Sequence, residues 1–529
     1  MQIYDTTLRD GAQQEGISLS VQDKLKITKK LDDLGITFIE GGIPGSNPKD
    51  VEYFKQAKNL HLSNSKIAAF GLTRRAGISA DRDDNLSLLL DSAAPVVTLV
   101  GKSSDLHVTR VLETSLAENL SMISDSISMI KRHGRQVFFD AEHFFDGFKA
   151  NAAYAIQSLI TAQEAGADGV VLCDTNGGTL SSEIKDIVDR VAIETKIPLG
   201  IHCHNDTEMA VANTIVAVLA GATQVQGTIN GYGERCGNTN LVSVIANLQL
   251  KMGIPCITNQ QLASLASVSK FVSEIVNIPP SSQQPYVGLS SFSHKGGLHA
   301  AAVTKLEESY QHVDPSLVGN SKNIVVSELS GRGNIQYKIE ELNLQKELNS
   351  SQISDILARI KVKENMGFQY ESASASFELM VRQYAKEYKP PFELIDFMVL
   401  VENRRRSPTA GSLDDLLAEA MVKVRVEDRV IHTAAEGNGP VNALDNALRK
   451  GLIEFYPVLS DVRLADYKVR VVDEGQGTQA TVRVLIDFTD GSDEWQTVGA
   501  SGNIIEASWI ALADSLEYYL LKTHQKNPS

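Results

Sequence analysis

The hydrophobic pattern over residues 1–255 alternates in a regular way between strand-like and helix-like segments. Short runs rich in branched and aromatic residues read as buried strands: QIYDTTL, TFIEGG, KIAAFGL, PVVTLVG, QVFFDAE, GVVLCDT, PLGIHCH and QVQGTIN. Between them lie stretches with apolar residues three and four apart, such as SVQDKLKITKKLDDLG, AENLSMISDSISMIKRHG and NAAYAIQSLITAQEAG, which read as helices buried along one face. Gly35, Gly134, Gly166 and Gly221 fall where such helices should stop. Eight strands, each followed by a helix, in a span of this length fit a (β/α)8 TIM barrel. No GxGxxG follows the first strand, which argues against a doubly wound open sheet.

The pattern changes after residue 255. Residues 256–390 hold helical segments, the stretch SSFSHKGGLHAAAV, and the pairs Pro279–Pro280 and Pro390–Pro391 near their ends, so a helical linker or arm region is expected. Residues 391–529 carry a faint repeat. GNGPVNALDNAL (437–448) is similar to SGNIIEASWIAL (501–512), and each copy follows strand-like runs. That arrangement predicts a duplicated βββα domain of α+β class. Arg404–Arg405–Arg406 through Gly411 reads as a solvated loop.

Composition narrows the function classes. The chain has 529 residues, 43% apolar and 22% charged, with a net charge of −15. This acidity argues against nucleic acid or an anionic membrane as the main partner. Four cysteines are too few for a disulfide framework, and no CxxC pair exists. The opening MQIYDTTLRD lacks a secretory apolar core, and the uncharged stretch Met209–Gly233 is interrupted by Asn213, Gln224, Gln226 and Asn230, so it reads as a buried helix and strand. The expectation is a cytoplasmic protein with no membrane span.

In barrels of this kind the reacting groups sit at the C-terminal ends of the strands. Strand one is expected to end in Arg9–Asp10, strand five in Glu142–His143, strand six in Asp174–Thr175 and strand seven in His202-Cys203-His204; strand eight leads into GYGERCGN with Asn230 and Asn238. His202 and His204, two apart on a strand, share one face. Such a pair suits a divalent transition metal, and Asp10 would complete a two-histidine, one-carboxylate set; one functional and one structural histidine is the plainer alternative. The donor set leaves Mg2+, Mn2+, Zn2+ and Co2+ open. Arg9 is either an electrophilic group facing a developing oxyanion or a rim ion pair. Glu142 is either an acid or base near the metal or an orienting carboxylate. Thr175 is either a substrate grip or a structural threonine. Cys203 faces away from its neighbouring histidines, and both it and Cys173 read as packing.

Together YDTTLRDGAQ, DAEHFFDG, LCDTNGG, IHCHND, NGYGERCGN, SHKGGLHA and VGASGNIIEASW resemble the acyl-CoA-dependent Claisen condensing enzymes, the isopropylmalate, homocitrate and citramalate synthase family of the DRE-TIM metallolyases. The similarity spans nearly the whole chain. YDTTLRDGAQQEGISLS, EGGIPGSNPKD and GNSKNIVVSELSGRGN look most like the citramalate-forming branch. The resemblance implies an acyltransferase of EC 2.3.3 type in isoleucine biosynthesis. It would join acetyl-CoA to pyruvate, with 2-isopropylmalate or homocitrate synthesis from another 2-oxo acid as the alternative. It further implies Asp10, His202 and His204 as metal ligands with Asn238 close by. Arg9 would polarise the oxo-acid carbonyl, Glu142 and Thr175 would lie at the oxo-acid site, and His299 and Tyr310 would be catalytic groups on an arm that reaches the neighbour's site in a homodimer. His294 would support them. By strand position, the oxo-acid pocket should lie near Phe70, Thr98, Val100 and Asp140. The tail would be regulatory, with isoleucine as effector. A barrel lyase or aldolase and a non-catalytic amino-acid sensor are the competing classes.

Overall fold

The computed structural model describes residues 1–345, 347–386, 388–406, 416–472 and 480–526. Two compact units make up the chain: residues 1–292 with 313–322, and residues 293–312 with 323–529.

The first unit is a closed barrel of eight parallel strands paired in chain order. They are β1 (Gln2–Asp5), β2 (Phe38–Gly42), β3 (Lys66–Leu72), β4 (Val96–Lys102), β5 (Gln136–Glu142), β6 (Gly169–Asp174), β7 (Leu199–Cys203) and β8 (Gln224–Gly227). β8 returns to β1 through Ile3 opposite Val225. Strands buried on both sides explain the near-continuous apolar runs in the sequence. Inside the barrel, Tyr4, Phe38, Ala68, Val96 and Phe138 form one packed layer, with Phe38 meeting Phe138 edge-on at 5.1 Å. This plug closes the interior and leaves the C-terminal mouth for chemistry. Outward-facing strand residues such as Ile3, Ile39, Val97 and Phe139 pack against the surrounding helices. The helix Val21–Leu34 starts at a reciprocal Ser20–Asp23 cap and stops at Gly35, whose φ of +91° favours a residue without Cβ.

Two boundaries differ from the sequence expectation. β1 ends at Asp5, not at Arg9–Asp10. The Asp5 carboxylate accepts the Thr7 N–H and hydroxyl, both at 2.9 Å, and the Thr6 N–H bonds to Gly227 O. The chain therefore turns before Arg9, and a 3-10 turn Gly11–Gln13 follows. The first unit also runs past 255. Leu265, Val268, Val272 and Val276 on the helix Leu265–Val276 are buried in the barrel's outer core, and Tyr286 OH donates to Asn247 Oδ1 at 2.7 Å.

The second unit opens with the helices Gly297–Lys305, Arg332–Glu341, Ser350–Asn365 and Ser374–Arg382. Two three-stranded antiparallel sheets follow. The first holds Glu393–Arg406, Leu416–Val426 and Arg429–Gly437 and is covered by the helix Pro440–Leu452; the second holds Arg463–Val471, Val482–Thr489 and Glu494–Ser501 and is covered by the helix Ile504–Lys526. Val422, Val424, Leu444, Leu448, Val484, Ile486 and Leu512 belong to one shared core. The repeat seen in the sequence is this duplicated βββα unit. Arg404–Arg406, expected to begin a loop, finish the first of these strands; residues 407–411 lie outside the described residues. Among the described residues no helix is long and apolar enough to cross a membrane.

Candidate active site

A cavity of 260 Å³ opens at the barrel mouth, and Arg9, Asp10, Phe70, Val100, Asp140, Glu142, Thr175, His202 and His204 are among the residues lining it. Asp10 comes from the turn after β1, His202 from β7 and His204 from the residue just past it. One ligand atom from each lies within 4.8 Å of the others. Asp10 Oδ2 is 3.5 Å from His202 Nε2 and 4.0 Å from His204 Nε2. All three side chains are buried.

The polar atoms here are incompletely satisfied. Asp10 Oδ1, His204 Nδ1 and Asn238 Oδ1 are buried with no hydrogen-bond partner. Such atoms are costly unless something fills the space between them. A carboxylate, two imidazoles and an amide oxygen fit a divalent cation. His202 is already oriented for it. Its Nδ1 faces Gln226 Oε1 at 3.1 Å, while Gln226 Nε2 donates to Asp140 Oδ1 at 3.1 Å. The proton thus belongs on Nδ1, which leaves the Nε2 lone pair for a ligand. Burial lowers His202 to about 4 and lowers His204 as well, so both rings are neutral near pH 7. Burial alone would raise Asp10; Arg9 and the two histidines outweigh it and hold the carboxylate at about 2. GERCGN keeps its asparagine in place by close packing: Asn238 Nδ2 donates to Tyr232 O at 3.2 Å, and His204 pairs with Asn238 in a β-bridge.

Arg9 is held rigidly. Its Nε donates to Glu40 Oε2 at 2.5 Å, its Nη1 lies 3.2 Å from Asp10, and its guanidinium stacks 3.9 Å above the Phe70 ring. Burial opposes the charge, but Glu40 and Asp10 outweigh it and keep Arg9 protonated. Glu40, on β2, is fully buried and also accepts from Tyr4 OH at 2.7 Å, which meets Thr98 Oγ1 at 2.6 Å. Thr98 therefore lies beneath the cavity, whereas Phe70, Val100 and Asp140 line it. Glu142 is paired with Lys102 on the neighbouring strand. Thr175 Oγ1 accepts the His143 N–H at 2.9 Å, and Arg235 Nη2 donates to Thr175 O at 2.8 Å while pairing with Asp206. Asp174 turns away to Thr179 Oγ1 at 2.8 Å. Asn230 also turns away, donating to Ser269 O at 2.9 Å. Cys203 packs in the outer core, while Cys173 lines the cavity with burial holding its thiol protonated.

His299 and Tyr310 belong to the second unit, where their rings stack at 4.2 Å. His294 is in the same unit, on a two-residue strand beside Asn323–Ile324.

Sequence reasoning missed Glu40, Lys102, Gln226, Glu234 and Arg235. A lone carboxylate inside the apolar run TFIEGG was the available signal for Glu40. Gln226 stands two residues from Gln224 across the apolar Val225, which puts both glutamines on one face of β8, opposite the face that packs against the helices.

Residues 1–272 match the HMGL-like family model, residues 286–367 the homocitrate synthase post-HMGL domain-like model and residues 371–520 the LeuA allosteric (dimerisation) domain. The chain therefore belongs to the HMGL-like family. Within it, the chain is 51% identical over 525 residues to the (R)-citramalate synthase of Geobacter sulfurreducens, covering 99% of this chain and 98% of that one. It is 50% identical over 527 residues to the (R)-citramalate synthase of Aquifex aeolicus, covering 99% and 98%. A 2-isopropylmalate synthase of Methanocaldococcus jannaschii is 32% identical over 524 residues, covering 98% and 95%.

Proposed function

We propose that this chain is an (R)-citramalate synthase, an acyltransferase of EC 2.3.3 type that condenses acetyl-CoA with pyruvate and hydrolyses the resulting thioester in isoleucine biosynthesis. The observation that carries this reading is the convergence of Asp10, His202 and His204 beside a clamped Arg9 in one cavity, in a chain similar over its whole length to proteins of that name.

Asp10, His202 and His204, with Asn238 beside them, are the residues that would hold a divalent cation: Mg2+, Mn2+, Zn2+ or Co2+. When bound, such a cation supplies Lewis-acid polarisation of a chelated oxo acid. Arg9 contributes a fixed positive charge where negative charge develops on the former carbonyl oxygen, and Glu40 keeps its guanidinium from rotating away. Thr175 orients the oxo-acid carboxylate through its hydroxyl, and Glu142, paired with Lys102, is the acid–base or orienting carboxylate beside it. Phe70 and Val100 give its methyl group an apolar wall and exclude water. His299 and Tyr310 form the proton-handling pair for the acetyl group, which they would serve across a homodimer. The tail is the regulatory part, with isoleucine as effector, and the protein works in the cytoplasm.

The test is thiol release from acetyl-CoA with pyruvate, 2-oxoisovalerate and 2-oxoglutarate in turn, with and without a chelator. The reading expects pyruvate to be preferred and the chelator to stop the reaction. An apolar pocket discriminates one methylene by only about 10–200-fold, so the ratio of kcat/KM values is the deciding quantity. A hundredfold preference for 2-oxoisovalerate would assign the chain to 2-isopropylmalate synthesis. C–C cleavage without thiol release would make it a lyase or aldolase.

A further inference from the structure

Next to Glu142 the chain makes a sharp corner. His143 adopts φ +55°, ψ +34°, the left-handed region that a residue with a Cβ rarely occupies. From that position its backbone N–H donates to Thr175 Oγ1. Its carbonyl accepts Gly147 N at 2.9 Å, which starts the helix Phe144–Glu164. Gly147 sits so close to the loop after β4 that a Cβ there would lie 2.3 Å from Ser103 O. Ser103 N in turn bonds to Glu142 O at 3.1 Å.

The His143 side chain is held in an unusual way. Its imidazole lies on that of His107, from the short helix Asp105–Arg110, with ring centroids 3.6 Å apart and planes 8° from parallel. The Nδ1 atoms of both rings are buried without a hydrogen-bond partner. Flat ring-on-ring contact therefore supplies the restraint. Burial, reinforced by the neighbouring His107, lowers His143 to about 4, and burial with the nearby Lys102 lowers His107, so the stack is one of neutral rings near pH 7. A strained backbone position persists only where its surroundings fix it, and such positions gather at functional sites.

We propose that the His107–His143 stack is a positioning pair: it locks the corner after β5 so that the Glu142 carboxylate and the Thr175 hydroxyl are presented to the oxo acid. Neither histidine is among the residues lining the cavity, so both act through Glu142 and Thr175. The claim rests on the condensation proposed above.

The experiment is steady-state kinetics by thiol release on full-length His107→Ala, His107→Phe and His143→Asn, with KM for pyruvate and for acetyl-CoA measured separately and thermal unfolding recorded for each. Phenylalanine restores a flat ring at 107, and asparagine tolerates the left-handed corner while removing the stack. Misplacement of a reacting group on the ångström scale costs up to about a hundredfold. His107→Ala and His143→Asn should each lower kcat/KM for pyruvate by about tenfold or more, with KM for acetyl-CoA within about twofold. His107→Phe should recover most of the loss. Full activity in both ring-deleting variants would overturn the proposal. So would a His107→Phe variant no better than His107→Ala, or losses that fall equally on both substrates and track the melting temperature. If His107→Ala does not fold, the comparison of His143→Asn with wild type and with His107→Phe decides alone. An active wild type with unmoved variants refutes only the positioning role, whereas a wild type that releases no thiol with any oxo acid refutes the condensation reading and this role with it.

Discussion

Replacing Glu40 by glutamine removes one charge and almost no volume from the centre of the barrel. Glu40 is fully buried and holds two donors, Arg9 Nε at 2.5 Å and Tyr4 OH at 2.7 Å. In Glu40→Gln the amide still accepts one of them, but its own N–H groups then face a donor. The Arg9 side chain is 11% exposed and would keep only Asp10 at 3.2 Å and the face of Phe70. Deleting one partner of a buried ion pair costs about 3–5 kcal/mol when the other charge is left uncompensated, and the remaining Asp10 beside Arg9 puts this loss at the lower end, about 3 kcal/mol. With a urea m-value of about 3 kcal/mol/M, the midpoint of barrel unfolding should fall by about 1 M. The assay has an internal control. Both tryptophans, Trp495 and Trp509, lie in the second unit, so tryptophan fluorescence follows that unit while far-UV circular dichroism adds the barrel. The two transitions are read separately, since a chain of two units need not unfold in one step. A circular-dichroism midpoint that moves by less than about 0.3 M would refute the idea that Glu40 is the counter-charge on which Arg9 depends.

Other predictions address the turn after β1, the loop that carries Asn238, and the tail. Burial raises Asp5 to about 7, against the opposing hydrogen bonds from Thr7. At this carboxyl the folded chain holds a proton that the unfolded chain has lost between about pH 4 and pH 7, so the contribution of Asp5 to stability should fall as pH rises through that window. Asp5→Asn should flatten this dependence in urea titrations at several pH values, and an unchanged slope would reject the assignment. In Gly233→Ala the new Cβ would lie 2.1 Å from Asn238 Nδ2, so Asn238 must shift; divalent-cation affinity, measured by calorimetry, should drop at least tenfold by about 1.4 kcal/mol or more, and wild-type affinity would exclude Asn238 from the site. Isoleucine should inhibit the full chain and not a chain ending at residue 390, as read by the ratio of inhibited to uninhibited rates; equal ratios would leave the tail without an effector role.

Short continuous apolar runs and period-3.6 patterning made the barrel legible because each strand is buried on both faces and each helix on one. The HxH pair was legible because side chains two apart on extended backbone share one side. What the sequence does not display is who meets whom across the barrel. Glu40 reaches Arg9 over 31 positions and Gln226 reaches Asp140 over 86, and neither distance leaves a local pattern. Arg9 and Asp10 are expected at the end of strand one because they directly follow the strand-like run QIYDTTL. The Asp5–Thr7 hydrogen bonds, a local side-chain contest with the sheet ladder, turn the chain earlier and still deliver both residues to the mouth. The helices after 255 looked like a linker because amphipathicity shows that a face is buried but not against what; Val268 and Val272 are spent on the barrel. The stacked histidines were invisible, since His107 and His143 lie 36 positions apart with no shared motif.

The most direct test of the central claim is the cation stoichiometry of the wild-type chain and of His204→Ala after equilibrium dialysis against Mn2+. Asp10, His202 and His204 forming one site predicts one tightly held ion per wild-type chain. It predicts no comparable binding in His204→Ala, whose circular dichroism should remain that of the folded protein because residues at the barrel mouth serve function more than stability. A wild-type chain that retains no ion, or a His204→Ala chain that holds it as tightly, would contradict the account.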